Sequence, residues 1–324
     1  MTGGVAVLGE NLVDLVVDER GAITPLLGGG PFTVARTMAR LGLRPQFYSG
    51  IAGDQFGRAV RDALIADGVD IVFDRPSSKP TSIALVETSD GAATYTFYLD
   101  GTAAFDVDPA RVLGRYGEAP TPSALYVGTL GLVVEPMASA ARALVASASP
   151  DTLVIADPNC RPGAIREPER YRVVLGELFG RADVVKVSTD DLRFIDPGRD
   201  PLDAARAIVA AGVPWVIVTD GPRPVHLVGS ASRTTLGVDD RPIVDAIGAG
   251  DALVGAFVAW WVGQGLTRGS LADADAVRGA VSAAIEVAGV TCERRGALPP
   301  RMGDLAHSVA WQWLVVAPRS EPSA

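Results

Sequence analysis

The run Asp245-Ala246-Ile247-Gly248-Ala249-Gly250-Asp251, followed at once by an apolar stretch from Ala252 to Val262, constrains this chain more than any other segment. A glycine-rich turn that feeds directly into a helix lets backbone N–H groups approach a ligand closely. It does so at the helix end that carries partial positive charge. Such a mouth suits a phosphate anion, and Asp251 beside it is placed to take a proton from an alcohol. The same pattern also serves as a plain chain reversal with the Asp as a cap, so the other segments have to decide.

Those segments alternate. Short apolar runs at Val5–Gly9, Gln46–Ile51, Ala124–Gly128, Leu153–Asp157, Val184–Val187, Trp215–Thr219 and Val225–Val228 read as strands. Helical patterns lie between them near Pro31–Leu41, Gly57–Asp67, Pro136–Ser147, Glu167–Phe179, Leu202–Ala211, Asp251–Gly263 and Asp273–Ala288. Continuous Val/Ile/Leu runs are expected of parallel strands covered on both faces. The expected fold is therefore α/β, a three-layer α/β/α sandwich with a mostly parallel central sheet. Ser82–Glu87 and Thr94–Leu99 break the alternation as two β-rich runs joined through Ser89-Asp90-Gly91, a hairpin signal. With Val13–Val17 they predict a small separate sheet, spanning about 11–20 and 80–105, that serves as a lid, a homodimer contact, or both. The Pro-rich stretch Ala119–Ser123 reads as a loop back to the main sheet and Pro318–Ala324 as a frayed tail, so residues 1–324 are taken as a single domain.

Composition excludes several classes of partner. A net charge of −9 and a pI near 4.8 argue against nucleic acid and anionic membranes. The apolar run after Asp251 is too short to span a bilayer. The opening MTGGVAVLGE has no basic region of the signal-peptide kind. Only two cysteines, Cys160 and Cys292, are present, with neither zinc nor disulfide spacing, which favours a reducing cytoplasm. Of the 29 basic residues only Lys79 and Lys186 are lysines.

Several polar groups fall at predicted strand ends, where ligands of open parallel sheets bind. Gly28-Gly29-Gly30-Pro31-Phe32-Thr33 opens a helix, with glycines for close approach and a proline suited to a first helical turn. Asp14 follows the first strand and reads either as an acceptor for sugar hydroxyls or as a solvated turn residue. Asp157-Pro158-Asn159-Cys160-Arg161 gathers acceptor, amide and guanidinium in five residues. Lys186-Val187-Ser188-Thr189-Asp190-Asp191 offers carboxylates for the waters of a Mg²⁺ ion, or a helix cap. Thr219-Asp220-Gly221 would suit nucleotide phosphates. After the first strand comes Gly9-Glu10-Asn11 rather than G-x-G-x-x-G, which counts against a dinucleotide oxidoreductase.

The Gly28–Gly42 entry and Asp245–Phe257 resemble the two signatures of the PfkB family of carbohydrate kinases, which have the ribokinase-like fold. Gly50–Gly57, Asp157–Arg161 and Arg295-Gly296-Ala297 with Pro299-Pro300 extend the likeness in the expected order, and it is nearest to fructokinase-like members. The resemblance implies ATP-dependent phosphorylation of a sugar hydroxyl. Asp251 would be the base, and the N–H groups of Gly248, Ala249 and Gly250 the anion hole. Asp14, Gly29, Gly30, Thr33 and Arg161 would bind the sugar. Ser188, Thr219 and Gly221 would join Gly248 and Gly250 at the nucleotide, with Asn159 and Arg161 nearby. Asp191 would help place Mg²⁺ through water, and Asp245 with Ile247 would hold a monovalent cation such as K⁺.

Departures from the pattern bear on specificity. Thr33 stands where the family usually has Asn, Ala246 and Ile247 replace a Thr pair, and Ser188 and Asp191 replace Asn and Glu. Tyr98-Leu99-Asp100 lacks the Arg that acid-sugar kinases carry after Tyr, which favours a neutral sugar. The alternatives are a ribose or nucleoside kinase of the same fold, or a catalytically silent relative that binds sugar or nucleotide.

Overall fold

A computed structural model describes residues 4–18, 20–89 and 92–311. The tip of the predicted hairpin at Asp90-Gly91 and the tail Pro318–Ala324 lie outside the described residues. In chain order the strands are β1 (Val5–Leu8), β2 (Leu12–Val17), β3 (Ile23–Gly28), β4 (Pro45–Tyr48), β5 (Asp70–Ile71), β6 (Ile83–Ser89) and β7 (Ala92–Tyr98). They continue as β8 (Ala124–Gly128), β9 (Leu153–Asp157), β10 (Val184–Ser188), β11 (Trp215–Asp220), β12 (Arg223–Gly229) and β13 (Arg233–Leu236). The helices are α1 (Gly30–Arg40), α2 (Gln55–Asp67), α3 (Pro109–Glu118), α4 (Met137–Ser147) and α5 (Pro168–Phe179). After them come α6 (Thr189–Ile195), α7 (Pro201–Ala210), α8 (Ala249–Gly263) and α9 (Ala274–Cys292).

Nine strands form one sheet in the order β13-β12-β11-β10-β9-β8-β1-β4-β5, parallel except for the antiparallel β12 and β13. Alternate residues along each strand enter opposite apolar clusters: Val5, Val7, Tyr126 and Ile155 on one face, Ala6, Leu8, Val127 and Ala156 on the other. The first cluster is roofed by α1, α2, α8 and α9, the second by α3 through α7. This is the three-layer sandwich, and its continuous apolar strands are the consequence of being covered twice. β3-β2-β6-β7 make the smaller sheet beside the carboxyl edge of the large one.

α8 is apolar on every side because it lies buried between α1 and α9. Gly255 sets the closeness of α8 to α1. A Cβ there would fall 2.6 Å from the Cβ of Thr37 and 2.8 Å from the carbonyl oxygen of Val34. That approach draws the amino ends of two helices onto one cavity.

Some elements escaped the pattern. β3 carries Pro25 and three exposed residues, so it has no apolar alternation; as an edge strand it tolerates the proline. α3 buries only Val112 and contains Gly114 and Gly117, which hides its stripe, although Asp108 caps it and Pro109 begins it. The fourth strand ends at Tyr48 rather than Ile51, while α9 runs on to Cys292 instead of stopping at Ala288.

Candidate active site

α1 starts at Gly30 and α8 at Ala249, and both amino ends open onto a cavity of about 920 Å³ at the carboxyl edge of the sheet. Residues from the ends of β1, β8, β9 and β10 form its floor: Glu10, Thr129, Asn159 and Lys186. Tyr95 and Phe97 of the small sheet, stacked with ring centroids 5.9 Å apart, form a side wall. The small sheet thus borders the cavity, and β3 is a member of it that the sequence did not indicate.

Asp251 faces this cavity from the first turn of α8. Its Oδ1 accepts a long hydrogen bond from Asn159 Nδ2 at 3.4 Å, and Asn159 itself adopts a left-handed φ of 38° to point there. Desolvation raises the Asp251 carboxyl above its ordinary range, while the charges of Lys186 and Arg161 pull it back. A raised carboxylate that faces two cations is a serviceable base for an incoming hydroxyl.

Gly248 has φ 77°, and a Cβ on it would lie 2.5 Å from that of Ala297, so only glycine fits the turn. Asp245 braces the turn, accepting from Ile247 N and Gly296 N at 2.9 Å each. The N–H of Ala249 folds back to the Ala246 carbonyl at 3.3 Å. Among the described residues the N–H groups of Gly248, Gly250 and Asp251 have no such partner. Of the three N–H groups expected to receive an anion, those of Gly248 and Gly250 are thus open, Asp251 N is open beside them, and Ala249 N is engaged.

Lys186 lies beside this turn. The residue is 4% exposed, and a Cβ placed on Gly250 would meet its Nζ at 2.9 Å, so the ammonium lies against the bare face of the turn. Asp157 Oδ2 pairs with it at 3.3 Å. Burial alone would lower the lysine, but Asp157, Asp191 and Asp251 raise it, so it stays charged. Asp157 in turn is pushed up to about 7 by desolvation against the pull of Lys186.

On the other side, Asp14 is 7% exposed and is raised to about 7, chiefly by burial, with Arg161 opposing. Arg161 donates to the carbonyls of Asn159 and Cys160, and its guanidinium lies 6.0 Å from the Tyr95 ring centroid. Gly29, at φ 105°, passes so close to Glu10 that a Cβ would lie 2.8 Å from its carbonyl oxygen. Thr33 lines the same cavity, and its buried Oγ1 has no hydrogen-bond partner. Gly29, Gly30, Thr33, Asp14, Arg161 and the Gly248–Asp251 turn are thus brought to one space.

Other expected residues are placed differently. Ser188 caps α6 in a capping box with Asp191, whose Oδ2 accepts from the Ser188 amide and hydroxyl at 2.7 Å each. Asp191 Oδ1 accepts from Cys160 N at 2.6 Å, so this carboxylate holds the Asp157–Arg161 turn in place and is only 3% exposed. All three of these bonds go to protein donors, whereas the sequence suggested a carboxylate facing metal-bound water. Thr219 and Gly221 end β11 next to β10 and stand outside the cavity, where Asp220 ties to Thr189 and Arg223. Tyr98 and Asp100 also face away: Asp100 pairs with Arg166 in the open, so the missing Arg after Tyr98 says nothing about this cavity.

Lys186 and Glu10 were not singled out as site residues from the sequence. A lysine inside the apolar run Val184–Val187, in a chain with two lysines, was a readable signal for the first. Nothing local marks Glu10, whose partners are distant in sequence.

A profile of the pfkB family carbohydrate kinases matches residues 4–301. The fructokinase of Klebsiella pneumoniae is 31% identical over 278 residues, 82% of this chain and 87% of that protein. The fructokinase of Rhizobium leguminosarum bv. trifolii is 29% identical over 258 residues, 78% and 77% of the two. The structure of fructokinase with bound ATP from Xylella fastidiosa superposes with a TM-score of 0.82 at 21% identity, covering 97% of this chain and 98% of that one. A fructokinase double mutant from Vibrio cholerae O395, in its fructose, ADP and potassium ion bound form, gives 0.78 at 25% identity, with 91% and 94% covered.

Proposed function

This chain belongs to the pfkB family of carbohydrate kinases and is an ATP-dependent sugar kinase, and on that premise we propose how its residues divide the work. The observation that carries the proposal is one cavity holding a desolvated carboxylate, Asp251, beside free turn amides and a buried lysine. Asp14, Gly29, Gly30, Thr33 and Arg161 bind the sugar so that one hydroxyl lies against Asp251. The hydroxyl oxygen attacks the γ-phosphorus while its proton passes to Asp251, and the bond to the β-phosphate oxygen breaks to release ADP. The transition state is loose, so positioning and charge neutralisation matter more than the strength of the base. The amides of Gly248, Gly250 and Asp251, with Lys186, take up charge on the transferred group. Water is kept from it by the small sheet, with Tyr95 and Phe97 innermost.

A neutral sugar, with fructose the first candidate, suits the balance of charge. Five acidic side chains (Glu10, Asp14, Asp18, Asp245, Asp251) line the cavity against three basic ones (Arg161, Lys186, Arg295), which disfavours a carboxylated substrate. The nucleotide extends past the turn toward Ser188, Thr219 and Gly221. Mg²⁺ enters with ATP and is held mainly by the phosphates and its own waters, as is usual for this ion. The donors in the protein fit that mode: Asp191 is engaged by three hydrogen bonds and Asp157 is fully buried against Lys186, which leaves the ion to the phosphates and water. A potassium ion, as in the Vibrio cholerae fructokinase structure, would rest on backbone oxygens of the 245–247 turn, since both Asp245 carboxylate oxygens already accept amides. We place the enzyme in the cytoplasm; none of the described helices is long and apolar enough to cross a membrane.

The test is ADP release from ATP·Mg²⁺ over a panel of neutral sugars, sugar acids and nucleosides, with Asp251→Asn as control. Turnover on a neutral sugar that is lost in the variant, with nucleotide binding kept, is the expected result. Turnover retained by Asp251→Asn would remove Asp251 as the base.

A further inference from the structure

The Gly9-Glu10-Asn11 segment has no part in the chemistry described so far, yet it lies directly behind it. Gly9 turns the chain with φ 154° against Pro31, whose Cγ would be 2.1 Å from a Cβ there. Asn11 is tied down by its Nδ2, which donates to Ser49 Oγ at 2.9 Å and to the Gly50 carbonyl at 2.8 Å. Between these two anchors Glu10 is 1% exposed, and its carboxylate gathers donors from two other segments. Oε1 accepts from Gly30 N at 3.3 Å and from the Thr129 hydroxyl, and Oε2 accepts from Gly131 N at 2.9 Å.

Two of those donors, Gly30 and Thr129, lie beside Asp251. A Cβ on Gly30 would touch Asp251 Oδ1 at 3.0 Å and Thr129 Cγ2 at 2.4 Å, so the open side of Gly30 faces both the carboxylate and the threonine. Thr129 holds a left-handed φ of 54°, a conformation that a β-branched residue keeps only when its surroundings enforce it. The Glu10 carboxylate supplies that enforcement by bonding to its hydroxyl on one side and to the Gly131 amide on the other.

We propose that Glu10 is a positioning residue for phosphoryl transfer, strapping the sugar-binding turn at Gly30 to the Thr129–Gly131 turn so that the bound hydroxyl stays in line with Asp251. The inference rests on the kinase reading above and adds to it a residue that touches neither substrate. Both of its oxygens are engaged by protein donors and the residue is 1% exposed. Burial raises Glu10 to about 7, opposed by its bonds to Thr129 and Gly131, as expected of a carboxylate confined beside Asp251.

Three variants test the strap. Glu10→Gln keeps the shape but must turn an NH₂ group toward one set of donors. Glu10→Asp keeps the charge but is one methylene too short to bridge both turns. Thr129→Val removes the hydroxyl and leaves Glu10 in place, so it serves if either Glu10 variant fails to fold. Initial rates at varied sugar and varied ATP, beside wild type and starting with D-fructose, give kcat and the two KM values; urea denaturation reports folding. The expected result is a roughly 10- to 100-fold fall in kcat/KM for the sugar in all three, with KM for ATP within about twofold of wild type. Folded variants with sugar kcat/KM within about threefold of wild type would overturn the strap. So would a parallel rise in both KM values, or a Glu10→Asp that performs like wild type. Wild type silent on the whole panel would instead overturn the kinase reading, and the strap with it.

Discussion

Lys186→Met isolates the electrostatic contribution of the buried ammonium while keeping an unbranched chain of similar shape. A unit charge about 4 Å from a developing phosphoryl charge is worth on the order of 4 kcal/mol at an effective dielectric constant of ~20. The turn amides and the metal-bound nucleotide share that charge, so about 2–4 kcal/mol is assigned to the lysine. At about 1.4 kcal/mol per decade this is a roughly 30- to 1,000-fold loss in kcat/KM for ATP. The cost to the fold is smaller than for most broken buried pairs, typically ~3–5 kcal/mol. The partner left behind, Asp157, is already raised to about 7 and can take up a proton instead of standing as a bare buried charge. Steady-state ADP release at varied ATP, with urea denaturation at about pH 7 and about pH 6, separates the two effects. Turnover within about threefold of wild type together with a loss of stability would refute the reasoning, and would make Lys186 a structural partner of Asp157 alone.

Gly248→Ala has to hold a left-handed φ and push against Ala297, so it should lose about 1–2 kcal/mol of stability and most of its turnover, measured by thermal unfolding and ADP release. Normal activity would mean that the turn relaxes freely. Thr33→Asn offers an amide to the sugar where an unpartnered hydroxyl now sits, so sugar KM should change several-fold more than ATP KM; equal changes would take Thr33 out of the sugar site. Asp14 is raised to about 7 and accepts best from sugar hydroxyls when ionised, so kcat/KM for the sugar should rise as pH increases through about 7. A flat profile from about pH 5.5 to 8 would contradict that role. Stability should respond with the opposite sign: Asp14 and Asp157 bind protons more tightly folded than unfolded, so their contribution declines as pH rises from about 4 through about 7. Urea midpoints that show no such decline relative to an Asp14→Asn, Asp157→Asn double variant would count against both shifts.

The layer architecture and both glycine turns, with the carboxylate of Asp251 beside the second, were legible in the sequence because each is written in contiguous residues. Apolar strands covered on both faces read as unbroken Val/Ile runs, a helix mouth reads as Gly-Ala-Gly-Asp before an apolar stretch, and a hairpin reads as two β-rich runs around a turn. These signals need no knowledge of which strand lies beside which. β3 and α3 were invisible for the complementary reason: an exposed edge strand and a helix that buries one residue leave no period to detect. Only the strand order brings Lys186 under Gly250, joins Glu10 to Thr129 across 119 residues, and turns Asp191 away from solvent to bind Cys160 N. It also decides that Tyr95 and Phe97 face the cavity while Tyr98 and Asp100 do not. Local pattern specifies what each segment becomes, because backbone periodicity and turn chemistry are short-range. Which buried charges meet depends on the packing of segments far apart in the chain, and there the desolvation that tunes these carboxylates and this lysine first arises.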